Sequence, residues 1–567
     1  MVKEKKHTGT NKKRDITNFL MVAAIVVLAN FVFSFYFKRF DLTAEKRYTL
    51  APSTMKLLKN LDDVVFFKVY LDGDLNPDFT RLRNETKELL DVFRAYSNNQ
   101  IEYEFINPLE NPNKDETEKI EKQLYEKGVI PEEVTDRKNK KTTKSYIYPA
   151  ALVTYKGKEI PWQIFKRQLG ISPEVAINNS VQDLEYGLTN SIRKLQAKGK
   201  TEITFLEGHG ELDTLRQYDF MRSISEYYSV SRVAINHNLD ALKGSSAVVI
   251  SQPDSAFDDK DKFIIDQFIM KGGKVLWMID PVYINYDTLR IKGFTLGLNN
   301  DLNLDDMLFK YGVRLNPVLV QDMQCGFLNI NVGFKNGQPN FQLFPWLYHP
   351  LILSDVDHPV VKNLDLIKFE FLSTLDTVAA KGIKKTILLR SSRYTKTQPT
   401  PARIGLAMVK FTPKEDQFHN SYQSVACLLE GSFSSVFSNR LPSAILNDST
   451  IAFRDKGVPT KMIVIADGDV AKNDIRPGVG PLALGFDRNT GQTFANKTFL
   501  LNCVNYLVDD EGLLQLRARE VKLRLLDKKK IANNETKWQM INIALPLGII
   551  IVFGLIQFYF RKKKYAS

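Results

Sequence analysis

The sequence predicts an α/β protein that is anchored in a membrane at both ends. Two long apolar segments flank a polar body, and the 567 residues are too many for a single hydrophobic core. Within the body, continuous Val/Ile/Leu strands alternate with amphipathic helices, which predicts parallel sheet covered on both faces. We therefore expect a small N-terminal α/β domain and a large doubly wound α/β domain with a β-rich elaboration.

The predicted organisation has seven segments. In chain order they are a basic tail (1–15), a transmembrane helix (16–37), an N-terminal extracytoplasmic α/β domain (38–175), a large α/β domain (176–512), a juxtamembrane segment (513–537), a second transmembrane helix (538–560) and a basic tail (561–567). The β-rich elaboration falls between roughly residues 300 and 460, and a separate third domain there is the alternative.

Both apolar segments are long enough to cross a bilayer. Phe19 to Phe37 is nineteen residues without a charge, and Met540 to Phe560 is twenty-one. About 20 apolar residues span the hydrocarbon core as a helix. A cleaved signal peptide is the alternative for the first segment, since small residues precede Asn30. The apolar run continues well past that point, which favours an uncleaved anchor.

The charge distribution predicts the topology. The net charge is +13, of which residues 1–15 and 561–564 together carry +8. Basic flanks stay in the cytoplasm, so both termini are predicted to be cytoplasmic and the main body periplasmic, at the inner (plasma) membrane. The +5 left on the body does not predict a nucleic-acid-binding face.

The N-terminal domain is predicted from three segments. "VVFFKVYL" (64–71) and "IEYEFI" (101–106) read as strands around an amphipathic helix, which predicts a parallel β-α-β unit. "SYIYPAALVTYKGKEIPWQIF" (145–165) predicts a hairpin around "KGKE". The charged stretch "VTDRKNKKTTK" (134–144) is interpreted as a solvated loop.

The large domain begins with a linking helix, in which Val181, Leu184, Leu188, Ile192 and Leu195 recur at helical spacing. Four short apolar strands follow, "TEITFL", "VSRVAI", "SAVVIS" and "KVLWMID", with amphipathic helices between them. "KMIVIADGD" adds a later strand of the same kind. This alternation predicts a doubly wound parallel sheet.

No enzyme signature is present, so we predict a non-enzymatic protein without cofactor or metal. "KGKT" (198–201) lacks the first glycine of a P-loop, and "GHGELD" (208–213) lacks the third glycine of a dinucleotide fingerprint. The three cysteines, Cys325, Cys427 and Cys503, include no CxxC pair, which argues against a disulfide framework or a zinc site.

The candidate ligand-binding residues follow strands of the predicted sheet. They are Glu207, Gly208, His209, Gly210, Glu211, Asp280, Asp467 and Asp469. In open α/β sheets ligands bind at the carboxyl ends of the strands, where these side chains would line a pocket for a cation or a polyhydroxylated ligand. The structural alternative is that they are turn and cap residues.

The order of several segments resembles one family. "RFDLTAEKRYTLAPSTMKLLKNLDDVVFFKVYL", "ITFLEGHGE", "GGKVLWMIDPV", "MIVIADGDV" and "NKTFLLNCVNYLVDDEGLLQLRARE" are similar to GldG proteins, the gliding-motility auxiliary components of an ABC transport system in Bacteroidetes. The resemblance implies an extracytoplasmic module beside a separate permease and a cytoplasmic ATPase. It also implies a class I glutamine amidotransferase-like fold, which an intraflagellar-transport subunit shares, without a catalytic cysteine.

Three hypotheses about function remain open. The favoured one is a non-enzymatic accessory subunit of an ABC transport system involved in gliding motility. The second is a periplasmic ligand- or glycan-binding module, independent of a transporter, that uses the Glu207–Glu211 loop with Asp280 and Asp467. The third is a metal-assisted hydrolase built around His209.

Overall fold

The structure is a computed structural model that describes residues 10–35, 49–110, 113–138, 141–165, 167, 173–196, 201–335, 337–410, 413–442, 451–509 and 535–565. The chain divides into two compact units, Met1–Arg519 and Glu520–Ser567. Residues 1–9 of the predicted basic tail, the segment after the first apolar run up to residue 48, and residues 513–534 of the predicted juxtamembrane segment lie outside the described residues.

The first unit begins with a long helix and a four-stranded sheet. Its elements in chain order are α1 (Thr10–Phe35), α2 (Pro52–Lys59), β1 (Val65–Val69), α3 (Pro77–Tyr96), β2 (Ile101–Phe105), α4 (Lys114–Glu126), β3 (Glu132–Lys138), β4 (Lys141–Ile147), β5 (Ala150–Tyr155), β6 (Lys158–Gln163) and α5 (Pro173–Gln196). The strand order of the sheet is β2-β1-β5-β6. β1 and β2 are parallel around α3, which confirms the predicted β-α-β unit.

Local sequence explains the ends of these elements. α3 begins at Pro77, whose missing N–H costs nothing at a helix start, and the Oδ1 atom of Asn76 accepts a hydrogen bond from the Phe79 N–H at 3.0 Å. β5 and β6 form the predicted hairpin, and its two turn residues, Lys156 and Gly157, both have positive φ.

One prediction about this region was wrong. The charged stretch at 134–144 is not a loop, because β3 and β4 pair there as an antiparallel hairpin. Neither strand shows the apolar alternation by which a half-buried strand is recognised in a sequence.

Helices cover both faces of this small sheet. α2, α3 and α5 share one core with β1 and β5, whereas Leu124 of α4 packs with Tyr70 and Tyr148 on the opposite face. Ala176, Leu184 and Leu195 place α5 in the core of this first sheet along its whole length.

The rest of the first unit contains a larger mixed sheet and its insertions. Its elements in chain order are β7 (Glu202–Glu207), α6 (Tyr218–Ser225), β8 (Ser229–Ala234), β9 (Ala247–Ser251), α7 (Asp259–Met270), β10 (Lys274–Met278), β11 (Val282–Ile284), α8 (Tyr286–Lys292), β12 (Phe294–Asn299), α9 (Asp305–Tyr311), β13 (Val313–Asn316), β14 (Val318–Asp322), β15 (Cys325–Lys335), β16 (Gln338–Ile352), β17 (Ile367–Lys368), β18 (Thr374–Thr377), β19 (Ile383–Arg390), β20 (Thr395–Pro399), β21 (Ala402–Gly405), β22 (Ser424–Gly431), β23 (Thr460–Ile465), β24 (Ile475–Arg476), β25 (Gly480–Pro481) and α10 (Asn496–Val508).

The main sheet has seven strands in the order β19-β22-β23-β10-β9-β7-β8. β8, β7, β9, β10 and β23 are parallel, as the apolar strands predicted. β22 and β19 continue the sheet in antiparallel fashion. The sheet is therefore mixed rather than wholly parallel, and the segment predicted as an elaboration supplies two of its strands.

Helices cover this sheet on both faces, as a doubly wound architecture requires. α6 and α10 pack on one face, through Phe220, Phe499 and Leu500. α7 and α9 pack on the other, through Ile265 and Met307. A separate core forms where β11, β14, β15, β16 and β21 meet outside the main sheet.

Charged residues mark both outer strands of the main sheet. β19 carries Lys384 and Lys385 at one edge, and β8 carries Arg232 at the other. β22 and β7 are the respective inner neighbours of these strands.

The second unit contains one described helix, α11 (Glu535–Tyr565), which is apolar over Lys537–Phe560. By length and composition this is the one span candidate among the described residues; the apolar stretch described in α1, Ile16–Leu28, is shorter.

Candidate functional site

The strand order defines where a ligand is expected. From β7 the chain passes to β8 on one side and then crosses to β9 on the other, so the order reverses between β7 and β9. The loops after those two strands diverge there, and open α/β sheets bind ligands in that crevice. Residues 208–211 follow β7, and residues 252–255 follow β9.

The two loops close this crevice against each other. The carbonyl oxygen of His209 accepts hydrogen bonds from the N–H groups of Asp254 and Ser255, both at 3.0 Å. Gly210 has φ +78°, and a Cβ atom there would overlap the Asp254 carboxylate. Glycine at this position lets the loops approach, so backbone of the protein itself fills the place where a ligand is expected.

His209 lies inside this closure rather than facing solvent. Its ring stacks on Phe257 with centroids 3.9 Å apart, and its Nε2 atom is 3.1 Å from Asp261 Oδ2. Its Nδ1 atom is 3.4 Å from Glu211 Oε1. Burial lowers the pKa of His209, but Glu211 and Asp261 outweigh it and raise the pKa. The two carboxylates therefore favour the protonated form of the His209 ring against its burial.

The other residues of this loop have structural partners as well. Glu211 Oε2 accepts a hydrogen bond from the His209 N–H at 2.7 Å. Glu207, at the end of β7, accepts one from Arg232 Nε at 2.8 Å, and Gly208 takes φ +113°. These contacts are those of a strand-to-helix turn.

The three predicted aspartates lie together farther along the sheet edge, after β10 and β23. Asp280 accepts hydrogen bonds from the Gly468 N–H at 2.5 Å and from Gln252 Nε2 at 2.8 Å. Asp467 is fully buried and accepts from the N–H groups of Val470 and Glu370. Asp280 therefore joins the ends of β9, β10 and β23, and Asp467 ties the loop after β23 to the segment after β17.

Burial and mutual repulsion raise the pKa values of Asp280 and Asp467, which favours their protonated forms. Burial and the Asp469 charge raise the pKa of Asp280 to about 7. Burial, Asp280 and Asp469 raise the pKa of Asp467 well above its ordinary value. When several carboxyl groups lie close together and away from water, ionising all of them at once costs free energy.

Two lysines oppose this negative charge. Lys472 Nζ lies 2.6 Å from Asp469 Oδ1, and Lys368 Nζ lies 2.9 Å from Glu370 Oε1 and 3.1 Å from Asp487 Oδ1. The lysines raise the stability of the charged form of Glu370, so its pKa falls despite its burial. We call Asp280, Asp467, Asp469, Lys472, Lys368, Glu370 and Asp487 the carboxylate cluster.

A buried histidine borders the cluster without hydrogen bonds. His349 is 2% exposed, neither of its ring nitrogens has a hydrogen-bond partner, and its Nε2 atom is 3.9 Å from Glu370 Oε2. Its ring meets Trp346 and Phe371 edge-on. Burial lowers its pKa to about 4, so it is neutral at physiological pH.

The eight predicted residues thus fall into two groups. The loop 207–211 forms one, and Asp280, Asp467 and Asp469 form the other. Sequence reasoning missed His349, Lys368 and Glu370, because they come from β16 and the segment around β17, which have no motif and reach the site only through tertiary contacts.

A possible cation-binding group was missed as well. His237, Asp258 and Asp261 bring three ligand atoms within 4.8 Å of one another in the described part of the chain. Both aspartates already have structural partners: Asp258 caps α7, and Asp261 bonds the N–H of His237 and the ring of His209. Their spacing of 21 and 24 residues from His237 gives no recognisable ligand motif.

The fold and the apolar helix define the class of this protein: an α/β protein with a long apolar C-terminal helix. A family model described as an ABC-type uncharacterized transport system, of the auxiliary type, matches residues 200–503. The match covers more than half of the chain, and the chain belongs to this family. Membership supports an accessory role in an ABC system and, with α11, association with a membrane.

Other comparisons add little to this assignment. A domain model of unknown function matches residues 44–154. Among solved structures, the N-terminal domain of mmIFT52 is similar over 54% of this chain and 97% of that chain, at 11% identity and a TM-score of 0.30. No curated protein matches.

Proposed function

We propose that this protein is the extracytoplasmic accessory subunit of an ABC transport system involved in gliding motility, as its resemblance to GldG proteins of Bacteroidetes implies. The observation that carries the proposal is the auxiliary-family match over residues 200–503. The proposed role is non-enzymatic, so a separate permease and a separate cytoplasmic ATPase supply the pore and the energy.

The proposed topology has two membrane spans. α11 supplies the second, and the apolar segment from Phe19 to Phe37 supplies the first. Basic residues at 1–15 and 561–564 favour cytoplasmic termini, so the sheets between the spans belong in the periplasm. The domain divisions at residues 175 and 512 remain part of this proposal, with α5 as a linking helix that packs in the core of the first sheet.

Co-purification tests the proposal directly. The native chain carries a C-terminal tag, membranes are extracted in mild detergent, and mass spectrometry identifies the co-purifying proteins. A permease and an ATPase at yields comparable with the tagged chain are expected. Recovery of the chain alone, or with outer-envelope proteins, contradicts the proposal and favours an independent binding module.

Topology is tested by labelling a terminal thiol. Cys427 and Cys503 are buried, so a Cys325→Ser background with Ser567→Cys offers a single accessible thiol among the described cysteines and the new site. A membrane-impermeant maleimide should label it only after the inner membrane is permeabilised. Labelling in intact spheroplasts contradicts a cytoplasmic C-terminus.

A further inference from the structure

A large cavity lies between the two sheets of the first unit, away from both groups of predicted residues. Its volume is about 510 Å³, within the range of small-molecule sites. One wall is formed by α5 with β6, which belong to the small sheet, and the other by α10 with residues 363–365, which belong to the large sheet. Ligand sites occur preferentially at such boundaries between sheets and domains.

Two helices face each other across the cavity with polar stripes. Asn179, Asp183 and Asn190 lie on one face of α5, and Thr498, Asn502 and Asn505 lie at spacings of four and three on α10. An ordinary boundary between two packed layers buries apolar side chains. These stripes instead present amide, hydroxyl and carboxylate groups to an open volume.

The lining is polar but carries no net charge. Of the 27 lining residues, six have side-chain amides and six have hydroxyl groups. The ionisable side chains are two carboxylates and two cations, Asp183, Asp365, Arg167 and Lys194, so opposite charges balance. This composition matches a ligand with many hydroxyl groups and no charge of its own, because amides and hydroxyls both donate and accept.

Hydrogen bonds fix the orientation of two of these amides, Asn502 and Asn505, before any ligand binds. Asn502 Nδ2 donates to the Val360 carbonyl at 3.0 Å, and Asn505 Oδ1 accepts from the Tyr228 hydroxyl at 2.7 Å. Each bond fixes the orientation of the amide plane, and with it the direction of the second polar atom. Fixed polar groups reduce the entropy that binding costs.

Aromatic rings complete the lining. Trp162 packs so closely against α5 that a Cβ atom on Gly187 would overlap its indole ring. The Tyr227 ring carries the Lys194 ammonium group 4.0 Å from its centroid, and Phe494 is part of the opposite wall. Rigid aromatic faces give apolar contact to the C–H faces of a ring-shaped ligand at low entropy cost.

We propose that this cavity is a binding site for a neutral oligosaccharide. Amides and hydroxyls of α5 and α10 bond the sugar hydroxyls, and Trp162 contacts the apolar face of one sugar ring. The proposal names a ligand class and a site, and it holds whether or not the accessory role proposed above is correct.

The test uses the full chain in nanodiscs on an array of neutral bacterial, plant and algal glycans, with inorganic phosphate and free amino acids tested separately by calorimetry. Binding of at least one neutral glycan is expected, with calorimetry confirming a dissociation constant in the micromolar to low millimolar range that small polar sites reach. Binding to no neutral glycan, or a preference for phosphate or amino acids, overturns the proposal.

A cavity-filling variant locates the binding. Thr498→Trp places an indole from α10 into the cavity, and binding should fall at least tenfold. Thr377→Trp makes the same change at an exposed position of β18 and should leave binding unchanged. Equal affinity in both variants places the glycan elsewhere and overturns the proposal. Thermal unfolding of each variant controls for loss of fold.

A milder variant covers the case in which Thr498→Trp fails to fold. Trp162→Phe keeps an aromatic ring but reduces the area that can contact the sugar, and it is expected to weaken binding about three- to tenfold. Trp277 and Trp346 are fully buried, and Trp538 lies exposed in α11 of the second unit. In a Trp538→Phe background, a glycan-induced change in fluorescence should therefore come from Trp162 and vanish in this variant. An unchanged affinity contradicts the assignment.

Discussion

The two groups of predicted residues differ in how far contacts within the protein account for their polar side chains. The loop from Glu207 to Glu211 uses its histidine, carboxylates and glycines to close the crevice between β7 and β9. The carboxylate cluster, in contrast, has five acids against two lysines and borders a buried histidine without hydrogen bonds. Contacts within the protein account for most of the stretch that looks most like a motif, whereas the cluster has more carboxyl groups than cations, and the pKa values of two of them are raised.

The largest effect is expected where the loops touch. Gly210→Ala should destabilise the protein by about 2–4 kcal/mol, because a methyl group must both adopt φ +78° and displace the Asp254 carboxylate. Gly157→Ala is the matched control, with φ +75° and open space around the new methyl group, and should cost about 1 kcal/mol. Urea unfolding measures both. Equal losses mean that the close approach contributes nothing.

A pH-dependent effect is expected in the cluster. Because the folded pKa of Asp280 is raised to about 7, the folded protein holds a proton that the unfolded chain releases near pH 4. Its stability should therefore fall as the pH rises from about 4 to 7, by at most about 1.4 kcal/mol per pH unit. Asp280→Asn should flatten this slope in a series of urea titrations.

The loop titrates in a different window, which separates the two groups. The pKa of His209 is raised, so its ion pairs stabilise the fold fully below about pH 6.5 and are lost as the pH rises through the folded pKa. Asp280→Asn should leave this loss of stability above about pH 6.5 unchanged. If the variant retains the slope between pH 4 and 7, another group of the cluster is responsible.

A smaller effect, of opposite sign, is expected at His349. Replacing it by phenylalanine removes two buried nitrogens that have no hydrogen-bond partner, beside Trp346 and Phe371. Stability should be unchanged or rise by up to about 1 kcal/mol in urea unfolding, since no bond is broken. A loss of more than about 2 kcal/mol would contradict the expectation that the imidazole makes no stabilising polar contact.

The smallest effect is expected at Glu207. Its ion pair with Arg232 is 44% exposed on the glutamate side, so Glu207→Gln should cost less than about 1 kcal/mol. Normal motility and normal abundance of this variant are expected in cells that glide. Lost motility at normal abundance would give Glu207 the ligand role that its position after β7 suggested.

Much of the fold was predictable because its signals are local. Continuous apolar runs predicted β7, β9, β10 and β23, and the β-α-β unit followed from strand, helix and strand in succession. β22 also has a continuous apolar run, but no local signal shows that it and β19 join the same sheet, because their pairing links segments tens of residues apart. The hairpin β3–β4 escaped because its strands are charged.

The candidate site was less predictable for the same reason. The sequence predicted that Asp280 and Asp467 follow strands, and the structure makes those strands, β10 and β23, neighbours in the sheet. Lys368 and Glu370, which set the charge balance there, come from an insertion that lies between the two aspartates in the sequence, and Glu370 is 97 residues before Asp467. Whether any of these residues binds a ligand remains a prediction.

The outer strands of the main sheet have a consequence for assembly. A bare strand edge invites another chain to add a strand, and cations on edge strands oppose this. Lys384 and Lys385 on β19 bring like charges together if that edge of two copies meets, whereas Arg232 on β8 is paired with Glu207. At high local concentration in a membrane, copies of this protein should resist stacking through their backbones, and contacts with neighbours should depend on side chains.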